Sequence, residues 1–223
     1  MNEATAVETV SEARPVPEER LLAISRDEAF QVRCWWQRLT LPAAELKHFS
    51  DAPPWPKGVR ATLRRCDATE AAMLTEGFRL LWHRLPAPQG ESDKQRNHRL
   101  QTWASIALVL AEVRAESPGA TLGGELGKEK NKTGKPHMSE LRFQRLLACR
   151  TPGELVTHLR RALALIDKRG VSTVYLADNI ALWWAERWRE SQGWAASRPS
   201  QRLAFQWAND YFGARLQYQH DND

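Results

Sequence analysis

From Ser25 onward, apolar residues recur at three- to four-residue intervals, the period of a helix with one buried face. Ser25 reads as an N-cap, Asp27 and Glu28 suit a first turn, and Ala29, Val32, Trp36 and Leu39 mark a stripe that ends at Pro42. In KGVRATLRRC, Val59, Leu63 and Cys66 form one face, with Lys57, Arg60 and Arg64 opposite. After Asp67 comes a stripe of Leu74, Phe78, Leu81 and Leu85, then a polar loop from Pro86 to Lys94. A helix burying Leu100, Trp103, Ala107 and Leu110 follows and is closed by Pro118. In the second half, Ser139 opens a helix with Leu141, Phe143, Leu146 and Leu147 inward. Thr151-Pro152-Gly153-Glu154 then combines an N-cap threonine, a proline at the first helical position and a glutamate at the third. That helix carries Leu155, Leu159, Ala162, Leu163 and Ile166 and stops at Gly170. Ser172 caps another, with Leu176, Ile180, Trp183, Trp184 and Trp188, and a last one from about Ser200 presents Leu203, Trp207 and Tyr211.

No segment alternates with period two, and no Asn-Gly or Asp-Gly turn joins β-branched runs, so the expected fold is all-α. Residues 119–138, with five glycines and four lysines, read as a flexible loop joining two small helical bundles, 26–118 and 139–213, with a tail at 214–223. Residues 1–25 hold five Glu and two Arg without a sustained period and read as a disordered acidic arm. Setting that arm aside raises the formal charge from +5 for the chain to about +8 for the rest, so the basic character belongs to the folded part.

At 223 residues and 42 % hydrophobic, the chain can bury a core, but no stretch is long and apolar enough to cross a membrane. The first residues lack the basic and apolar regions of a secretory signal, which points to the cytoplasm. Cys34, Cys66 and Cys149, odd in number and without a C-x-x-C pair, suit a reducing compartment as small buried hydrophobes. Of the ten tryptophans, Trp36, Trp103, Trp183 and Trp207 fall on apolar stripes. Trp55, between two prolines, and Trp194, after Gly193, fall in loops and are the interface candidates.

Enzyme signatures are missing: there is no phosphate-binding G-x-x-x-x-G-K-[ST], no dinucleotide G-x-G-x-x-G, no H-E-x-x-H and no G-x-S-x-G. The six histidines are scattered and one carboxylate in WANDY makes no acid–base pair, so the expectation is a non-catalytic protein without metal or cofactor. Basic residues are clustered instead. Arg60, Arg64 and Arg65 share a helix, as do Arg142 and Arg145, with Arg150 at its end. Arg160 and Arg161 are adjacent, and Lys128, Lys130, Lys132 and Lys135 dot the glycine-rich segment. Arginine forks suit phosphate and loop lysines give salt-sensitive attraction, so the twelve together suggest a phosphate-tracking surface. Glu140, Glu154, Glu186 and Glu190 are available as ion-pair partners, and with them the same clusters would be an ordinary solvated helix surface.

The order of CWWQRL at 34–39, GVRATLRR at 58–65, LGGELG at 122–127, SELRFQRLLACRTPGELVTHLRRAL at 139–163 and FQWANDYF at 205–212 resembles the CasB family, the small subunit of the type I-E CRISPR complex Cascade. The resemblance spans most of residues 28–213. It implies an all-α, two-bundle, non-enzymatic subunit that sits with a second copy of itself between the backbone subunits and the large subunit. Such a subunit helps hold the guide RNA (crRNA) and target DNA and stabilises the R-loop. Arg64, Arg65, Arg142, Arg145, Arg160 and Arg161 match the family's paired basic positions, while the acidic arm and the lysine-rich insertion at 128–137 depart from its pattern. The alternative is a protein–protein scaffold that docks through its tryptophans without touching nucleic acid.

Overall fold

The computed structural model of the chain describes residues 21–220, so residues 1–20 of the expected acidic arm and the last three of the tail lie outside the described residues. Among the described residues there are eleven α-helices: α1 Arg26–Thr40, α2 Ala43–Leu46, α3 Lys57–Arg65, α4 Thr69–Met73, α5 Glu76–Trp82, α6 Asp93–Leu110, α7 Leu122–Gly127, α8 Glu140–Leu147, α9 Pro152–Leu165, α10 Thr173–Ser191 and α11 Leu203–His220. Strand among the same residues is confined to β1 Ala115–Glu116 and β2 Arg169–Val171, paired in parallel, and the fold is all-α.

Local sequence sets most helix starts. Ser25, Ser92 and Thr151 each accept a hydrogen bond from the backbone three residues on, and Glu28, Gln95 and Glu154 reciprocate, giving three complete capping boxes. After α10, Gly193 takes φ 67°, its N–H donates to Glu190 and the Trp194 N–H to Arg189, a glycine-terminated helix end.

At the centre lie α6 and α10, which pack together and are buried on every side over Thr102–Leu110 and Thr173–Trp184. Four buried indoles bring their N–H to an acceptor: Trp35 to Gly77 O (2.9 Å), Trp36 to Val113 O (3.1 Å), Trp184 to Ser105 Oγ (3.1 Å) and Trp207 to Asn179 Oδ1 (2.7 Å). The rings therefore tie α1 to α5 and to the end of α6, α6 to α10, and α10 to α11. Trp103 and Trp183 are buried as well, so all four tryptophans assigned to apolar stripes are core. Leu74 and Leu141, assigned to the same kind of stripe, are instead 82 % and 64 % exposed. Leu74 is the terminal residue after a single helical turn, and Leu141 lies on the solvent side of α8, where Phe143 and Leu146 supply the buried face.

The segment 119–138 contains structure that its composition hides. Leu122–Gly127 is helical, and its glycines let two backbones touch: a Cβ on Gly123 would meet Trp207 O at 2.7 Å, and one on Gly127 would overlap the Tyr211 carbonyl. Here glycine supplies proximity, and α7 lies directly against α11. Residues 128–137 close into a hairpin through Lys130 N–H to Lys135 O (2.8 Å) and His137 N–H to Lys128 O (2.9 Å). Tyr211 locks the far side, donating its hydroxyl to Met138 O at 2.7 Å and stacking on Phe143 with centroids 4.1 Å apart. Buried residues from Ile24 to Tyr211 form one contiguous core cluster that draws on both halves of the chain.

Parts of both expected ends are structured among the described residues. The N–H groups of Leu22, Ala23 and Ile24 all donate to the buried Asp178 carboxylate of α10, at 2.8–3.2 Å, which ties residues 22–24 to the core. At the other end, α11 runs through residues 214–220, where Ala214, Arg215, Leu216 and Gln217 are good helix formers and Arg215 pairs with Glu140.

The backbone contact makes Gly127→Ala destabilising by about 1–3 kcal/mol, the cost of overpacking. Gly153→Ala, in open space within the first turn of α9, should be neutral or slightly stabilising. Urea denaturation of the two variants checks the contrast.

Candidate nucleic-acid interface

The α3 helix packs Val59 and Leu63 into the core, which turns Arg60 and Arg64, one helical turn apart, toward the end of α6. That end has carbonyls without helical partners and carries the negative pole of the helix dipole. Arg60 satisfies two of them, donating Nε to Ala111 O (2.9 Å) and Nη2 to Val113 O (2.8 Å). Arg160, from α9, donates to Cys66 O (2.8 Å), Leu63 O (3.3 Å) and Leu108 O (3.4 Å), closing the ends of both α3 and α6.

Between these arginines sits Glu112, buried, with Arg64 Nε at 3.1 Å, Arg160 Nε at 3.9 Å and the Lys168 ammonium in direct contact. Burial pushes the Glu112 carboxyl up, but the Lys168 hydrogen bond and the charges of Arg64, Lys168 and Arg160 outweigh it and hold the group below its ordinary value of 4.5. The Arg60 guanidinium is pushed down by burial and by Arg64 and Arg114, with Glu112 opposing. One carboxylate faces three cations, so the local field stays positive.

The twelve cations proposed from sequence therefore divide. Arg60, Arg64 and Arg160 are joined in this network, Arg60 and Arg160 half-buried and Arg64 exposed beyond its Nε. Arg65 and Arg161, the next residues along the same helices, are exposed, with no hydrogen bond or ion pair from their side chains among the described residues. Arg142 and Arg145 are exposed on α8, and Arg150 follows it with only its backbone N–H engaged, donating to Glu154 at 2.8 Å. Lys130, Lys132 and Lys135 project from the hairpin, and Lys128 pairs with Glu125. No contact among the described residues joins the α8 arginines or the lysine hairpin to the Glu112 network.

Of the four glutamates offered as neutralisers, none binds one of these twelve side chains. Glu140 pairs with Arg215 and Glu190 with Arg187, Glu154 completes its capping box, and Glu186 accepts from Leu203 N–H at 2.9 Å. The neutralisers are Glu112, for Arg64 and Arg160, and Glu125, for Lys128, which sequence reasoning missed along with Lys168 and Arg114. Glu112 follows the buried run 102–111, and a lone carboxylate there was the available signal.

The two interface tryptophans differ. Trp194 is 58 % exposed. Trp55 is half-buried, with the Arg38 guanidinium 4.4 Å and that of Arg84 5.9 Å from its ring centroid. Among the described residues no group of His, Cys, Asp and Glu is arranged to hold a metal ion, and no helix is long and apolar enough to cross a membrane. Of the three thiols, all unpaired, only Cys149 is fully buried, its pKa pushed up to about 11 by burial and by Glu154.

Because the Glu112 pKa is lowered on folding, its contribution is complete above pH 4.5 and is lost as pH falls through the lowered folded value. Glu112→Gln should cost about 3 kcal/mol at neutral pH, by leaving partly buried cations unpaired. The gap between wild type and variant should shrink in acid, as denaturant titrations across pH will show.

A protein-family model described as "CRISPR-associated protein Cse2" matches residues 59–212. No curated protein and no solved structure matches the chain. The matched span runs from α3 into α11 and takes in the Glu112 network, the lysine hairpin and the α8 arginines. It covers more than two-thirds of the sequence, and the chain belongs to the Cse2 family, the CasB small subunit of type I-E Cascade.

Proposed function

We propose that this Cascade subunit acts without catalysis of its own, holding the sugar–phosphate backbone of guide RNA or target DNA and stabilising the R-loop. The observation that carries this reading is the division among the arginines. Arg60, Arg64 and Arg160 donate to helix ends and to Glu112, whereas Arg65 and Arg161 next to them in sequence, and Arg142, Arg145 and Arg150 elsewhere, are exposed with no acidic partner for their side chains among the described residues. R-loop formation is a nearly balanced strand exchange, so a few sequence-independent phosphate contacts tip it. Exposed arginines on rigid helices supply such contacts, and the hairpin lysines add a diffuse, salt-sensitive attraction.

The same reading has the subunit working in the cytoplasm beside the backbone and large subunits and a second copy of itself. The exposed Trp194, Phe205 and Leu216 favour protein docking on other faces, so the scaffold role accompanies nucleic-acid contact.

In a reconstituted complex, Arg65→Glu with Arg161→Glu should leave the melting temperature unchanged. It should shorten R-loop lifetime and flatten the slope of log affinity against log salt by ~0.7–0.9 per lost contact. Arg60→Gln with Arg160→Gln should instead lower the melting temperature. An unchanged R-loop in the first variant contradicts the assigned surface, and Trp194→Ser tests the docking role through subunit co-purification.

A further inference from the structure

Among the described residues six cations lie over aromatic rings, and three of them are neutralised where they sit. Arg99, over Trp82, forms a two-bond pair with Glu91, Arg187 over Trp183 pairs with Glu190, and Arg215 beside Tyr211 pairs with Glu140. Lys94, over Trp188, donates to Gln192 Oε1. Trp55 differs from these rings in drawing two cations at once. Two guanidiniums approach this one ring, Arg38 from the end of α1 and Arg84 from just beyond α5, and neither has a carboxylate partner among the described residues.

The ring is held rigidly. Pro54 and Pro56 fix the backbone on either side, the Trp55 N–H donates to Arg38 O at 2.9 Å, and Arg38 Nε donates to Pro53 O at 3.1 Å. Arg38 is thus stacked and oriented, with its terminal Nη groups left over, while Arg84 is exposed. Burial and the nearby Arg84 charge both push the Arg38 guanidinium down, so the pair lies in each other's repulsive field. An anion between them would relieve that repulsion. A carboxylate is filled by one guanidinium fork, whereas a phosphodiester offers oxygens in a tetrahedral arrangement to two arginines from different elements.

We infer that Arg38, Trp55 and Arg84 form a second phosphate-binding site, which takes a backbone phosphate of a single-stranded nucleic acid. The site rests on the nucleic-acid reading above but is separate from the Glu112 network. Arg38 and Trp55 also lie outside the 59–212 span that matches the family, so nothing in that match assigns them.

The test is binding of a fluorescein-labelled oligothymidylate to the full chain by anisotropy across a salt series. Arg84→Gln is the cleaner variant, because Arg38 also holds the Pro53 carbonyl. It should keep the wild-type melting temperature and flatten the salt slope by ~0.7, and Arg38→Gln with Arg84→Gln should flatten it by ~1.4. A wild-type slope in both variants overturns this site alone, provided Arg65→Glu with Arg161→Glu still weakens binding. Wild-type protein that does not bind the oligonucleotide overturns the nucleic-acid reading and this site with it. A glutamate-rich peptide whose binding depends on Arg84 while oligothymidylate binding does not would assign the site to an acidic protein segment and overturn the phosphate assignment.

Discussion

The placing of Arg65 and Arg161 on this protein's surface depends on one buried carboxylate. Glu112 sits where α6 ends, and the cations it attracts come from α3, from α9 and from the turn after α9. Without it, Arg64, Arg160 and Lys168 would repel one another at a helix end that cannot neutralise all three. With it, three elements distant in sequence converge, and the Nη groups of Arg160 go to the open carbonyls at the ends of α3 and α6. A buried ion pair of this kind is weak evidence for stability in itself, since desolvation offsets much of the attraction. Its consequence is positional: it fixes the backbone from which Arg65 and Arg161 emerge.

That division of labour gives the positive field a physical form. A guanidinium already bonded to carbonyls cannot rotate toward a ligand but still contributes charge, while its sequence neighbour keeps all its donors. The arrangement separates long-range attraction from the hydrogen bonds that would engage a phosphate. Under the proposed function, it suits a partner recognised by backbone charge more than by base sequence.

Much of the fold was legible in the sequence because its signals are local. The capping boxes at Ser25 and Thr151 need only four residues, and the helical period placed Trp36, Trp103, Trp183 and Trp207 in the core. The errors share one cause: they concern what a residue meets across the fold. Gly123 and Gly127 look like loop residues until Trp207 and Tyr211 of α11 are found against them. Leu141 has the right period but sits on the solvent side of α8. The candidate site was half legible: spacing put Arg60, Arg64 and Arg65 on one helix, yet could not tell Arg60, turned into a helix end, from Arg65, turned to solvent. The Arg38–Trp55–Arg84 arrangement escaped because its members lie on three separate segments, and only the proline-flanked Trp55 carried a local signal.

The central claim, that anchored and free arginines have different jobs, is tested most directly by arginine-selective chemical modification of the assembled complex, read by mass spectrometry with and without target DNA. The account predicts that Arg60 and Arg160 resist modification in both states, and that Arg65, Arg161, Arg142 and Arg145 react freely until DNA binding protects them. Ready modification of Arg60 and Arg160, or unchanged reactivity of the exposed four when the R-loop forms, would contradict it.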